Sequence, residues 1–274
     1  CKHSFWTDKK SRTIESKKGE VTGKCSKISL SVLMKLMYSA RLMRVDLLRV
    51  VSMLARQITR WTESMDKKLE KLIAYVNTTI ELEQYGYVAD THARVYIDVY
   101  SDADFAGTSS QHSTTGGHVA LVGPCTRFPL MSVSKKQTSV ATSTAEAELT
   151  ALLYVTRNHV IPVSVLWDKL LAREITVNVF EDNRSVLYIV STGRNRTMRH
   201  FERTHRVSAA WLNEIYSRHK YIRWFYAKSA EMIADLFTKQ FTNVQQYARL
   251  RTAAGIAVRY QEVIAMSREL ANIR

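Results

Sequence analysis

Two apolar segments that each close on an acid, separated by a stretch of helical length, constrain this chain more than any other feature. Val95, Ile97 and Val99 alternate with Tyr96, Asp98 and Tyr100, the period of a strand with one buried face, and the run closes at Asp102. Ile175–Glu181 reads as another strand, closing at Asp182, and Ser143 to about Asn158 between them reads as a helix. A strand reached through a helical crossover lies parallel to one already in its sheet, on the right-handed side. With that helix as the crossover between parallel neighbours, both acids emerge at one sheet edge, where open α/β sheets place their ligands.

The remaining elements fill in around these. Gly116–Val122 and Arg127–Val133 are short strands flanking the Gly123-Pro124 turn signal, so the first three strands form an antiparallel meander. Val163–Leu171 either extends the Ser143 helix or forms a second one. Asn183–Val190 and Arg203–Ser217 are helical, Tyr221–Tyr226 is the fifth strand, and Glu231–Lys239 opens a last helix. The expected fold is α/β: a mixed five-stranded sheet, three strands antiparallel and then two parallel, flanked by helices over residues 91–241. Before it, a helical segment spans 28–90. There Leu47, Val50, Val51, Leu54, Ile58 and Trp61, then Met65, Leu69, Leu72, Ile73, Val76 and Ile80, mark two amphipathic helices packed as a hairpin. Residues 1–27 form a polar, Lys-rich arm, and 242–274 are helical by composition.

Acids at strand ends stand out because the chain is basic, with 40 Lys+Arg against 25 Asp+Glu and a formal charge of +15. That balance favours nucleic acid or an anionic surface as partner. Cys1, Cys25 and Cys125 are far apart and in no ligand spacing, which argues against disulfides and structural zinc and for a reducing compartment. His200 and His205 lack Cys or His partners for a zinc site. No stretch approaches eighteen uninterrupted apolar residues, so no membrane span is expected. The opening Cys-Lys-His-Ser looks like a cut from a longer chain.

Four short acidic stations recur: around Asp102, around Glu146 and Glu148, around Glu181 and Asp182, and at Asp235. Asp98 shares strand parity with Asp102 but lies ~13 Å up the strand, too far to share a site; Asp104 is nearer and suits a supporting position. Ser143 with Glu146 three residues later has the form of a capping box, in which Glu reaches back to the N-cap amide. Glu148 then points the other way round the helix, beside Ala151 and Leu152, where an acid is costly unless paired or metal-bound. Glu148 is therefore the expected ligand. The chemistry that needs such a cluster is two-metal phosphodiester hydrolysis, with two Mg²⁺ about 3.5–4 Å apart held by carboxylates. The ions also keep like charges ionised together.

These residues resemble the RNase H domain of copia-type LTR retrotransposon polyproteins. The matching blocks are YSDADFAG (100–107), STTGGHVALVG (113–123), SVSKKQTSVATSTAEAELTAL (132–152), FEDNRSVL (180–187), RTMRHFERTHRV (196–207) and IADLFTKQF (233–241). Residues 39–48 and the two upstream helices resemble the segment that links reverse transcriptase to RNase H in that family; no Tyr-x-Asp-Asp polymerase box is present. The resemblance implies cleavage of the RNA strand of RNA–DNA hybrids, with Mg²⁺ (or Mn²⁺ in its place) on Asp102, Glu148, Asp182 and Asp235. It also implies a place in a Pol polyprotein, in cytoplasmic retrotransposon particles or the nucleus. Asp104, Asn183 and Glu231 fall beside the four acids. Phe105 stands where the family usually has Trp, and Glu202 where it has Asp. Gln111 and His112 replace a family basic residue. The loop Lys228–Glu231 carries no His where many members have one, so either Glu231 or His205 takes that role or turnover is slow.

Residues 191–228 hold nine Lys/Arg against Glu202 and Glu214. Arg194, Arg199, His200, Arg203 and Arg206 are expected to meet the nucleic acid, together with Lys135, Lys136 and Gln137 before the Glu148 helix. Ser113 and Thr114 suit phosphate or 2′-hydroxyl. A different expectation, a catalytically silent nucleic-acid-binding or connection domain of a decayed element, follows from the absent loop His and polymerase box.

Overall fold

The computed structural model describes residues 21–107, 111–194 and 208–272. Helices α1 (Ser26–Leu42), α2 (Leu48–Ala55) and α3 (Glu63–Thr78) come first, followed by the short strand β1 (Glu83–Gln84). Then come β2 (Tyr96–Asp104), β3 (Thr114–Gly123), β4 (Thr126–Lys136), α4 (Thr144–Val155), α5 (Ile161–Leu171), β5 (Val177–Glu181), α6 (Arg184–Thr192), α7 (Ala209–Arg218) and β6 (Ile222–Tyr226). The short helix α8 (Asp235–Thr238), α9 (Val244–Ala253), β7 (Ile256–Ala257) and α10 (Tyr260–Asn272) complete it.

The five-stranded sheet runs β4-β3-β2-β5-β6. β2–β3 and β3–β4 are antiparallel, and β2–β5 and β5–β6 are parallel. This is the mixed sheet expected above, and the expected crossover is a single rod. α4 continues through one π turn, Thr156–Val160, into α5, so Thr144–Leu171 is a 28-residue helix. By length and composition that helix could cross a membrane, although Glu146, Glu148 and Arg157 interrupt its apolar residues and no eighteen of them run unbroken. Half of its most apolar window is buried inside the protein, and it carries the buried Glu146 and Glu148, as a core helix of a folded domain can.

Strand alternation splits the core between the two sheet faces. Ile97, Val99, Val177 and Val179 pack with Leu149, Leu152 and Val155 of the rod and Leu212 of α7. Tyr100 and Phe180 face the other way, into a cluster shared with Val51, Leu54 and Leu72 of the N-terminal helices, Leu236 and Phe237 of α8, and Ala253, Ile256 and Leu270 near the C-terminus. Beyond residue 242 the chain carries α9 and α10 and also contributes a strand, β7, which pairs antiparallel with β1. An additional helix, α1, precedes the two amphipathic helices predicted; its apolar pattern is weaker, and it buries Leu33 and Ala40. The front part of the helix expected over Arg203–Ser217 lies outside the described residues, as do residues 1–20 of the N-terminal arm.

Gly116 decides how closely α8 approaches the sheet. It is the register partner of Asp102. A Cβ there would stand 2.5 Å from Thr238 Cγ2 and 2.8 Å from the Ala234 carbonyl oxygen. Only a residue without a Cβ lets that backbone settle against the strand. Glycine-to-alanine changes in unstrained positions usually stabilise by reducing unfolded-chain entropy. Gly116→Ala should do the opposite, costing about 1–3 kcal/mol by overpacking. Denaturant unfolding of the two proteins checks this, and equal or higher stability of the variant would contradict the close docking.

Candidate active site

Asp102 lies inside β2, and Asp182 follows directly after β5. Tyr100 and Phe180 are register partners in the parallel pair, so two residues further along each strand the two acids come level. Glu148 is delivered by the start of the rod. Ser143 caps α4, its hydroxyl accepting the Glu146 N–H at 3.2 Å. The Glu146 carboxylate turns back, as a capping-box acid does. It accepts from the N–H and the hydroxyl of Thr142, one residue before the cap, whereas the sequence pattern pointed to the Ser143 amide. Glu146 is thereby engaged in structure, and Glu148 is buried on the sheet side.

Asp235 opens α8, which three contacts hold in place. Ser134 Oγ donates to the Phe237 carbonyl at 2.7 Å, Arg49 Nε of α2 donates to the Thr238 carbonyl at 2.8 Å, and Thr238 Oγ1 donates to Asp102 Oδ2. The N-terminal helices thus brace the element that carries the fourth acid.

Two groups of carboxylates result. Oxygens of Asp102, Asp182 and Asp235 lie within 4.8 Å of one another, and so do oxygens of Glu148, Glu181 and Asp182. Asp182 belongs to both. Lys239 Nζ stands among the first group, 2.7 Å from Asp235 Oδ1, 3.1 Å from Asp102 Oδ1 and 3.8 Å from Asp182 Oδ2. Ser229, in the loop after β6, donates to Asp182 Oδ2 at 3.2 Å.

Burial and mutual repulsion set the electrostatics. Burial, then the charges of Asp102, Glu181 and Asp182, push Glu148 well above the ordinary carboxylate range. Burial, then Asp102 and Asp182, do the same to Glu181. Asp102 is also raised, by burial, although Lys239 and Thr238 pull it down. Asp235 is pushed up to about 7 by burial and Asp102 against the pull of Lys239. Burial works to lower Lys239, but Asp102, Asp235 and Asp182 outweigh it and hold the ammonium above its ordinary value.

Asn183 caps α6, its side chain accepting the Ser185 N–H at 3.0 Å, while its own N–H donates to Glu181 Oε1 at 3.2 Å. Asp104 at the end of β2 and Glu231 in the loop before α8 stand outside both carboxylate groups. Asp98 is buried and accepts from Asn178 Nδ2 at 3.1 Å, away from the site. Ser113 is fully buried and accepts the Ala106 N–H; buried Gln137 bridges to Thr115 Oγ1 at 3.2 Å and the Ala147 carbonyl at 2.9 Å. These two side chains tie the loop and β4 to the scaffold instead of projecting to a ligand, a correction to their assignment as nucleic-acid contacts. Thr114 is buried at the start of β3. Lys135 is exposed, with its ammonium 4.4 Å from the centre of the Tyr154 ring, and Arg194 is exposed after α6. Arg199, His200, Arg203, His205 and Arg206 lie outside the described residues.

No protein-family profile matches the chain. Secreted RxLR effector protein 161 of Plasmopara viticola is 31% identical over 132 residues, 48% of this chain and 88% of that protein. The chain belongs to that protein's family. Among solved structures it is similar to LC11-RNase H1 isolated from compost, at 16% identity over 52% of this chain and 92% of that one, with a TM-score of 0.36. It is also similar to a foamy viral protease-reverse transcriptase in complex with double-stranded DNA, at 12% identity over 74% of this chain and 32% of that one, with a TM-score of 0.45.

Three site residues have no role assigned from the sequence. Lys239 sits four residues after Asp235, the spacing at which a helical acid and base meet, and that spacing was the available signal. Glu181 shares parity with Val177 and Val179, so it belongs to the buried face of β5. Ser229 had no signal, because only the loop's path brings it to Asp182.

The raised Asp235 implies a pH dependence with a definite sign. Its folded-state value lies above the ordinary 3.8, so the stability linked to its neutral form is present below about 3.8 and is lost as pH rises through about 7. In EDTA, Asp235→Asn should therefore gain thermal stability relative to wild type as pH goes from 4 to 8. If the Lys239 ion pair governed instead, the difference would run the other way, and melting curves across that range separate the two.

Proposed function

We propose that this chain is a ribonuclease H that cleaves the RNA strand of RNA–DNA hybrids, within a copia-type reverse transcriptase polyprotein. The observation that carries this reading is the pair of carboxylate groups joined through Asp182, at the carboxyl ends of two parallel strands in a strongly basic chain. The order Asp102, Glu148, Asp182, Asp235 is the one that the copia resemblance implies.

The donor set fits a hard divalent cation. All the converging ligand atoms are carboxylate oxygens, and among the described residues Glu148 Oε2 and Glu181 Oε2 are buried without a hydrogen-bond partner. Asp102, Glu148, Asp182 and Asp235 would hold two Mg²⁺. When bound, such ions activate water and neutralise charge on the leaving oxygen. The chain's own residues supply the frame: Thr238 fixes one oxygen of Asp102, Ser229 one of Asp182, and α8 holds Asp235 over the strand. Hydrolysis replaces the P–O3′ bond with a bond from phosphorus to the water oxygen, and the freed 3′ oxygen takes up a proton. Lys135 and Arg194, both exposed, would meet backbone phosphates. Each such contact steepens the log–log salt dependence of binding by roughly 0.7–0.9. Recognition through shape and 2′-hydroxyl keeps cleavage tolerant of sequence.

One observation favours a second reading, a catalytically silent nucleic-acid-binding module: Lys239 already neutralises part of the acid cluster. A labelled RNA–DNA hybrid with Mg²⁺ should be cut by wild type. Asp182→Asn should cut it at least about a hundredfold more slowly, the scale of losing one preorganised electrostatic group. Double-stranded DNA and RNA should stay intact. Hybrid left equally whole by both proteins would overturn the enzymatic reading, and metal-dependent product would overturn the silent one.

A further inference from the structure

We propose that Glu181, which none of the expected site assignments includes, is a fifth metal-binding carboxylate that completes a second cation position with Glu148 and Asp182. The inference rests on the ribonuclease reading of the same site and specifies how its two ions are divided.

Glu181 is the last residue of a strand that is buried throughout, and it has no exposed surface. Its face of β5 carries Val177 and Val179, which pack against Leu149 and Leu152 on the helix of Glu148. An apolar residue would satisfy that face. A carboxylate there sits in low dielectric beside two other acids, an arrangement that is unfavourable unless a cation joins it. One oxygen is accounted for, since Oε1 accepts the Asn183 N–H at 3.2 Å. The other, Oε2, is buried without a partner among the described residues, as is Glu148 Oε2. Both residues contribute to the group whose oxygens lie within 4.8 Å of one another. Oxygens around one Mg²⁺ at about 2.1 Å stand at most ~4.2 Å apart, so a modest contraction of side chains closes the group on an ion.

The two positions differ in what they already hold. Lys239 stands among Asp102, Asp182 and Asp235, and no Lys or Arg forms a salt bridge with Glu148 or Glu181 among the described residues. The Glu148–Glu181–Asp182 position therefore has the greater need of an ion, and it should fill first, at the lower metal concentration.

Mn²⁺ titration calorimetry on the full chain tests this, using wild type, Glu181→Gln and Asp235→Asn. Wild type should bind two ions. Glu181→Gln should lose or weaken at least tenfold the tighter one, and Asp235→Asn should weaken the looser one. Glutamine preserves shape and removes a buried charge, so the variant should melt in EDTA no lower than wild type. Glu181→Asp, which withdraws the carboxylate by one methylene, should weaken the same ion and serves if the glutamine variant does not fold. Two ions bound by Glu181→Gln with wild-type affinities would overturn the proposal, as would a single ion on wild type. Hybrid cleavage is scored separately. Two-ion binding that depends on Glu181 but brings no cleavage by wild type would refute the nuclease reading and leave the cation position standing.

Discussion

Like charges held close together where water is excluded are the constraint around which this protein is arranged. Asp102, Glu148, Glu181, Asp182 and Asp235 converge from two strands and two helices. Burial and repulsion raise Asp102, Glu148, Glu181 and Asp235 together. An isolated set of this kind would push its own elements apart. Lys239 relieves part of the repulsion from within, contacting three of the acids. The remainder sits on the side of Glu148 and Glu181, where buried oxygens lack hydrogen-bond partners among the described residues. The uneven distribution of that single ammonium gives the site its two unlike halves.

Holding α8 in place against this repulsion requires support from far along the chain. Arg49 of α2 anchors the Thr238 carbonyl, and Ser134 of β4 anchors that of Phe237. The cluster containing Leu236 and Phe237 draws on the N-terminal helices and the C-terminal segment alike. Gly116 keeps the strand low enough for the helix to reach Asp102. The helices with no catalytic side chain are thus part of the site's mechanics, because they set the position of Asp235 and Lys239.

Much of the sheet was legible because its signals are local and periodic. The alternation from Val95 to Tyr100, the turn at Gly123-Pro124 and the cap at Ser143 each depend on neighbours a few residues away. Capping chemistry also separated Glu146 from Glu148, although the capping acid bonds Thr142 and not the predicted amide. Legibility failed where a residue's neighbours come from elsewhere in the chain. Gln137 and Ser113 read as polar residues beside a basic stretch, and only the folded β3–β4 edge shows them turned inward. Glu181 was overshadowed by the adjacent Asp182, although its parity with two valines marked it as buried.

The sequence by itself determined the strand and helix order, the parallel placement of the Asp102 and Asp182 strands, and the helix start that frees Glu148 from capping. These follow from backbone periodicity and crossover handedness, which act over short spans. Tertiary structure alone decided the rest: Lys239 amid three acids, Ser229 on Asp182, Glu181 opposite Glu148, and a single rod where the sequence left one helix or two open. Charge, burial and distance in a packed interior depend on side chains far apart in the chain, and no local pattern encodes their meeting.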